Sequence, residues 1–258
     1  MSTTTASNKG KVLVILSGSD HLELGNGKDQ PTGFFLCELA QPLAKLLEEG
    51  YEPVFANPTG KKPIQDPLSD SLLFFLGNTK EREREHKLIN SMSVSSNLSN
   101  PIPFASITDD QLHCFKGVFV PGGHAPMEDL FDDKELGRIL LHFHARQKTT
   151  GAICHGPVAL LSTRAAVKPG EKFPYAGYNV TAYSDTEEKL NEVMFGSQLK
   201  FKVVDELQKE GATICDTFPM GSKVTVDREL VTGQGPTSAA AFADAFVKHL
   251  NKGSAVAA

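Results

Sequence analysis

Cys154 is the residue of this chain best placed by its neighbours to be a nucleophile. The pentapeptide Ala152-Ile153-Cys154-His155-Gly156 follows Gln147-Lys148-Thr149-Thr150-Gly151 and precedes the apolar run Val158-Ala159-Leu160-Leu161. Small residues two before and two after a nucleophile mark a strand that turns sharply into a helix, because a large Cβ collides in so tight a turn. Cys154 is expected at that corner, at a helix N-terminus, where the macrodipole favours a thiolate. A free cysteine more often serves as a small buried hydrophobe. The elbow spacing argues for reactivity instead.

Four further groups have chemistry that suits a thiol. His155 adjoins Cys154 and offers either a general base or a backbone N–H for an oxyanion. Glu38 lies in Phe34-Phe35-Leu36-Cys37-Glu38-Leu39-Ala40, a carboxylate among apolar neighbours. Buried there, it would hold a proton near neutrality; on the polar stripe of a helix it would be an ordinary surface glutamate. Gly122-Gly123, within Pro121-Gly122-Gly123-His124, leaves backbone N–H groups unobstructed for a developing oxyanion. Asp185 follows the run Ala182-Tyr183-Ser184 and fits two roles equally, the acid of a Cys-His-Asp triad or a helix cap near Thr186. No metal site is expected. His142 and His144 diverge on a helix, and His21, His86 and His113-Cys114 have no ligand spacing. Neither a P-loop nor a dinucleotide-binding glycine motif follows the first strand, and no cofactor is expected.

The elements that must position these groups alternate. Lys11–Ser17 reads as a buried strand, 34–49 as a helix bent at Pro42 and capped by Gly50, and Glu52–Ala56 as a second strand. Gly117–Val120, Thr150–Cys154, Asn179–Tyr183 and Ala212–Cys215 are further strands, and Lys223–Val226 and Glu229–Thr232 flank a hairpin turn at Asp227-Arg228. Helices are expected over 136–146, 157–167, 199–210 and from about Thr237 to Leu250. Strand-helix alternation implies an α/β fold with a mostly parallel sheet between two helical layers. Its ligands bind beyond the carboxyl ends of the strands, where Gly18-Ser19-Asp20, Pro121–His124 and Cys154-His155 fall. Residues 58–103 interrupt the alternation with Pro58, Pro63, Pro67, a Ser/Asn-rich stretch and the mixed-charge run Glu81–Glu85. This is expected to be a cap-like insertion within one domain spanning 1–258, with an ordered core over 11–250, and the charge run is expected to be a solvated helical face.

The 258 residues are 40% hydrophobic and 22% charged, with a net charge of -5, a globular composition that argues against broad nucleic-acid binding. Four dispersed cysteines without a CxxC pair suit a reducing compartment. The polar N-terminus and the absence of a long apolar run give no reason to expect a membrane span. A cytoplasmic location, and also a nuclear one, is compatible with this.

Together, Phe119-Val120-Pro121-Gly122-Gly123-His124, Ala152-Ile153-Cys154-His155-Gly156-Pro157 and Leu230-Val231-Thr232-Gly233-Gln234-Gly235-Pro236 resemble the ThiJ/PfpI superfamily. The stretch from Thr32-Gly33 through Glu38 to Pro42 is similar to its glutathione-independent (class III) glyoxalase branch, which overlaps the heat-shock-protein-thirty-one-like chaperones. The resemblance implies a flavodoxin-like sandwich, a site of Cys154, His155 and Glu38 with Asp185 as third triad member, and oxyanion donors at Gly123 and His155. It further implies a homodimer and a lyase that converts methylglyoxal and water to lactate without glutathione or metal. The substrate would be a small 2-oxoaldehyde, and the alternatives are a holdase for unfolded proteins, a Cys154-His155-Asp185 peptidase or amidase, and a redox sensor.

Overall fold

The computed structural model describes residues 8–168 and 170–256, with side chains up to 253. In chain order the elements are β1 (Gly10–Ile15), β2 (His21–Glu23), β3 (Asp29–Pro31), α1 (Leu36–Glu48), β4 (Tyr51–Asn57), α2 (Thr79–Ser95), β5 (Ile102–Pro103), α3 (Asp109–His113) and β6 (Phe115–Val120). There follow α4 (Pro126–Asp129), α5 (Lys134–Ala145), β7 (Thr149–Ile153), β8 (Asn179–Val180), α6 (Asp185–Phe195), α7 (Val203–Lys209), β9 (Thr213–Ile214), β10 (Val224–Asp227), β11 (Leu230–Gly233) and α8 (Ala239–Val256).

One seven-stranded sheet, ordered β10-β11-β7-β6-β1-β4-β5, organises the chain. Every pairing in it is parallel except the β10-β11 hairpin at one edge. Alternate residues of β1 supply both faces. Val12 and Val14 join Leu39, Leu43, Phe242 and Phe246 of α1 and α8 in one core. Leu13 and Ile15 join Leu136, Ile139, Leu140 and Phe143 of α5 in another. All of these side chains are at 0% exposure. A sheet buried on both faces needs such unbroken apolar strands, and burial at roughly 25 cal/mol per Å² of apolar surface is its main stabilisation.

Three local expectations are revised. The residues after Cys154 form a ten-residue 3-10 helix, Gly156–Ala165, and not an α-helix. The strand expected over 179–183 is only β8, which pairs with β9 in a separate two-stranded sheet. The helix expected over 199–210 is confined to α7. As expected, a helix, α1, contains Pro42 and continues to Glu48.

The insertion has its own structure. Two 3-10 turns, Pro67–Asp70 and Leu72–Phe75, precede α2. Its start is tied to the segment before α1. The Phe34 N–H donates to Ile64 O, the Asp66 N–H to Phe34 O, and the Thr32 hydroxyl to Asp66 Oδ2 at 2.7 Å. The charge run is not wholly solvated, because Glu85 is buried at 3% exposure and accepts from Gln41 on α1 at 2.8 Å. Burial pushes its carboxyl up to about 7.

Candidate active site

The elbow rests on three observations. Gly156 could not be larger, since a Cβ there would lie 2.4 Å from Val120 O. Cys154 has φ 62°, a left-handed conformation that costs a non-glycine residue energy and persists only when neighbours enforce it. The neighbours that enforce it are β11 and the segment before α6. The Cys154 N–H donates to Gly233 O at 2.9 Å, and Cys154 O accepts from the Tyr183 N–H at 2.9 Å.

On one side of the sulfur stands a wired polar chain. Cys154 Sγ lies 3.1 Å from His155 Nδ1, and His155 Nε2 lies 2.7 Å from Glu188 Oε1. His124 Nε2 reaches the other oxygen, Glu188 Oε2, at 3.3 Å. The His155 ring is held between His124 and Tyr183, with centroids 4.0 and 4.6 Å away. Asn191 Nδ2 donates to Glu188 Oε2 and to the Tyr183 hydroxyl, both at 3.3 Å. Burial pushes the Glu188 carboxyl up, but the two histidines facing it outweigh that and hold it far below the usual range. Burial, then the neighbouring His124, pushes His155 down. The pair at neutral pH is therefore a carboxylate beside a neutral imidazole, with Nε2–H donating to Glu188 and the Nδ1 lone pair facing the thiol.

On the other side stands Glu38, at 0% exposure. The Phe35 N–H donates to Gly122 O at 3.0 Å, which docks the first turn of α1 against the β6 loop. Gly122 is the spacer between acid and thiol: a Cβ there would lie 2.5 Å from both Glu38 Oε2 and Cys154 Cβ. Neither Glu38 oxygen makes a hydrogen bond of full geometry. The Cys154 thiol and the Gly122 N–H are the polar groups that face it. Burial pushes its carboxyl up to about 8, so it carries a proton at neutrality.

The thiolate expected at the elbow is not the resting form. Burial, followed by the Glu38 charge, raises the Cys154 thiol well above its ordinary value. The Glu38 contribution lapses while Glu38 is protonated, and the Gly123 N–H facing the sulfur favours the anion. Burial still dominates. A short 3-10 helix also offers a weaker aligned dipole than the α-helix expected there.

Cys154, His155, Glu38 and Gly123 are thus brought together. Asp185 is not. It is the first residue of α6, its Oδ1 is buried without a hydrogen-bond partner, and Asp205 and Lys202 are among its charged neighbours. It is not the cap either. Ser184 caps α6, with Glu187 closing the capping box. The acid that meets His155 is Glu188, one turn further on. The legible signal was Ser184-x-x-Glu187, which assigns Glu187 to the cap and leaves the next glutamate free to face inward. Glu187 also accepts from the Met220 N–H at 2.8 Å and from Gln234 Nε2 at 3.1 Å, which fixes α6 against the β11 edge. His124 carries no signal in the sequence beyond the glycines that precede it.

These groups open onto a cavity of about 220 Å³ lined by Phe35, Phe74, Leu68, Leu73, Tyr183, Met194, Met220, His124, His155 and Cys154 among others. The insertion supplies Asp66, Leu68, Ser71, Leu73 and Phe74 to its wall. A larger depression of about 650 Å³, beside Tyr51 and Met92, shares no residue with it and is lined by neither a cysteine nor a histidine. Among the described residues no helix is long and apolar enough to cross a membrane, and Cys37, Cys114, Cys154 and Cys215 are free thiols.

Known proteins resemble the chain over most of its length. The chain is 28% identical over 234 residues to a protein/nucleic acid deglycase, HchA, of Staphylococcus aureus, covering 88% of this chain and 75% of that protein. It superposes on glyoxalase III of Candida albicans with a TM-score of 0.74 at 23% identity, covering 94% of this chain and 98% of that one. It superposes on the Rapid Encystment Protein 24 kDa of Francisella tularensis with a TM-score of 0.78 at 22% identity, covering 93% and 99%. Those two likenesses speak to the flavodoxin-like α/β sandwich. The DJ-1/PfpI family pattern matches residues 32–249, which contain Glu38, His124, Cys154, His155 and Glu188. The chain belongs to the DJ-1/PfpI family.

Proposed function

We propose that this protein is a glutathione-independent glyoxalase that converts methylglyoxal and water to lactate on Cys154. The observation that carries the reading is one thiol set between two buried glutamates, Glu38 across Gly122 and Glu188 behind His155, the first raised and the second lowered. Two carboxyl groups with their pKa values pushed apart are the mark of separate acid and base roles.

The Cys154 sulfur adds to the aldehyde carbon while its proton passes to His155 Nδ1, 3.1 Å away, and the new imidazolium is stabilised by Glu188. The aldehyde oxygen, facing the Gly123 and His155 N–H groups, takes up a proton to give a hemithioacetal. That proton comes from the imidazolium or from Glu38, and the group that gave it, now neutral His155 or the Glu38 carboxylate, removes the hydrogen from the same carbon to form an enediol. Protonation at the neighbouring carbon then leaves a thioester of lactate. Water cleaves the carbon–sulfur bond, releasing lactic acid and restoring the thiol. No redox partner enters.

Peptide cleavage is the weaker reading, because a raised thiol and a cavity roofed by the insertion suit a small electrophile better than a polypeptide. The deglycation named for the curated relatives fits the same cavity, since adducts of 2-oxoaldehydes are reversible and contain the same carbon framework. The test is lactate formation from methylglyoxal without thiol cofactor. An intact wild type that makes none, with Cys154→Ala as the blank, sinks the reading.

A further inference from the structure

The sequence spacing of histidines offers no metal-ligand set, yet the fold assembles one. His124, His155 and Glu188 each present a ligand atom, all three are buried, and those atoms lie within 4.8 Å of one another. They come from the β6 loop, the elbow and α6, far apart in the chain. Two imidazole nitrogens and one carboxylate are a borderline donor set that suits Zn(II), with positions left open for water.

We propose that this trio is a Zn(II) site, and that an ion bound there reversibly switches off Cys154. Donor atoms of a tetrahedral zinc ion, at bond lengths of about 2.0–2.1 Å, stand about 3.3 Å apart. His124 Nε2 stands 3.3 Å from Glu188 Oε2 and His155 Nε2 stands 2.7 Å from the other oxygen, Oε1, so a small turn of the carboxylate is needed to bring one oxygen to that spacing from both imidazoles. Two of the donors line the cavity, which gives the ion an entry path.

The switch is a change of tautomer. Without metal, His155 carries its proton on Nε2 and its Nδ1 lone pair faces the thiol. Zinc on Nε2 displaces that proton, and the ring moves it to Nδ1, where it points at the sulfur 3.1 Å away. His155 is then a donor to Cys154 and no longer an acceptor, so the thiol cannot hand its proton over. Cys154 itself lies beyond the far nitrogen of the ring and is not a ligand. The inhibition rests on the proposed thiol chemistry; the binding does not.

The test titrates purified protein with Co(II) as a visible probe and with Zn(II), then measures turnover. Visible d–d bands at one ion per chain, without a sulfur-to-cobalt charge-transfer band, are expected, and Cys154→Ala should keep them. His124→Gln and Glu188→Gln should each weaken binding by more than about tenfold. Zinc K-edge absorption of the wild type, which needs no variant, should show nitrogen and oxygen neighbours and no sulfur. Zinc should abolish methylglyoxal turnover, and a chelator should restore it. A sulfur neighbour, or binding unchanged in His124→Gln, overturns the site. Zinc bound without loss of turnover overturns the switch. Binding by a protein that turns over no aldehyde upholds the site and refutes the glyoxalase reading alone.

Discussion

Two glutamates, both buried and both within reach of the Cys154 apparatus, are held in opposite protonation states. Glu38 faces apolar α1 neighbours and a thiol, has no well-formed hydrogen bond, and is pushed up to about 8. Glu188 accepts from His155, His124 and Asn191 and is held ionised. Burial is nearly the same for the two, at 0% and 1% exposure. What differs is the number of donors. Desolvation alone turns a carboxylate into an acid, and two or three N–H donors reverse it.

The comparison can be broken at several points. The largest effect belongs to the thiol between them: Cys154→Ala should lower turnover by about 10,000-fold or more while leaving the circular dichroism spectrum unchanged. Next, Glu188→Gln should cost about 100- to 10,000-fold in kcat/KM, because His155 loses the group that orients it and stabilises its charge. Asp185→Asn should stay within about twofold of wild type. The reverse order in steady-state kinetics would restore Asp185 as the triad acid.

A third pair of outcomes concerns pH and stability. Glu38 is raised in the folded state, so the native protein binds its proton more tightly than the unfolded chain does. Its penalty is absent below about 4.5, grows as pH rises, and is complete above about 8, at a few kcal/mol. Glu38→Gln should therefore gain on wild type in Tm between pH 6 and pH 9. Glu188 is lowered, so its contribution is present above its ordinary value of 4.5 and lost as pH falls below it. Glu188→Gln should lose most of its deficit in Tm under acid. Parallel pH profiles for the two variants would refute the opposition. The smallest effect belongs to the insertion. Glu85, pushed up to about 7 by burial, should on change to Gln raise Tm above pH 7 by about 2–4 °C and leave kcat untouched.

The parts of the site that depend on local spacing were legible in the sequence. The elbow is readable because small residues at 152 and 156 are demanded by the turn itself, whereas Gly122 reads only as open backbone for an oxyanion and its role as spacer between Glu38 and Cys154 is tertiary. Strands such as β1 and β6 were readable as apolar runs. The identity of the third acid was not, since it depends on which face of α6 meets His155, and that face is set by the Ser184–Glu187 box and the Gln234 contact across 47 residues. The thiol's protonation was missed for a related reason. A dipole argument uses only the local helix, whereas burial by Phe35, Tyr183 and the insertion is tertiary. The burial of Glu85 likewise came from α1, which no reading of the charge run alone contains.

The most direct test is proton NMR of methylglyoxal with the wild-type protein in buffered D2O, without glutathione. Lactate should form, with deuterium at its second carbon if the enediol exchanges with solvent, and Cys154→Ala should form none. An intact wild-type protein that makes no lactate, or a Cys154→Ala variant that makes as much, would contradict the account.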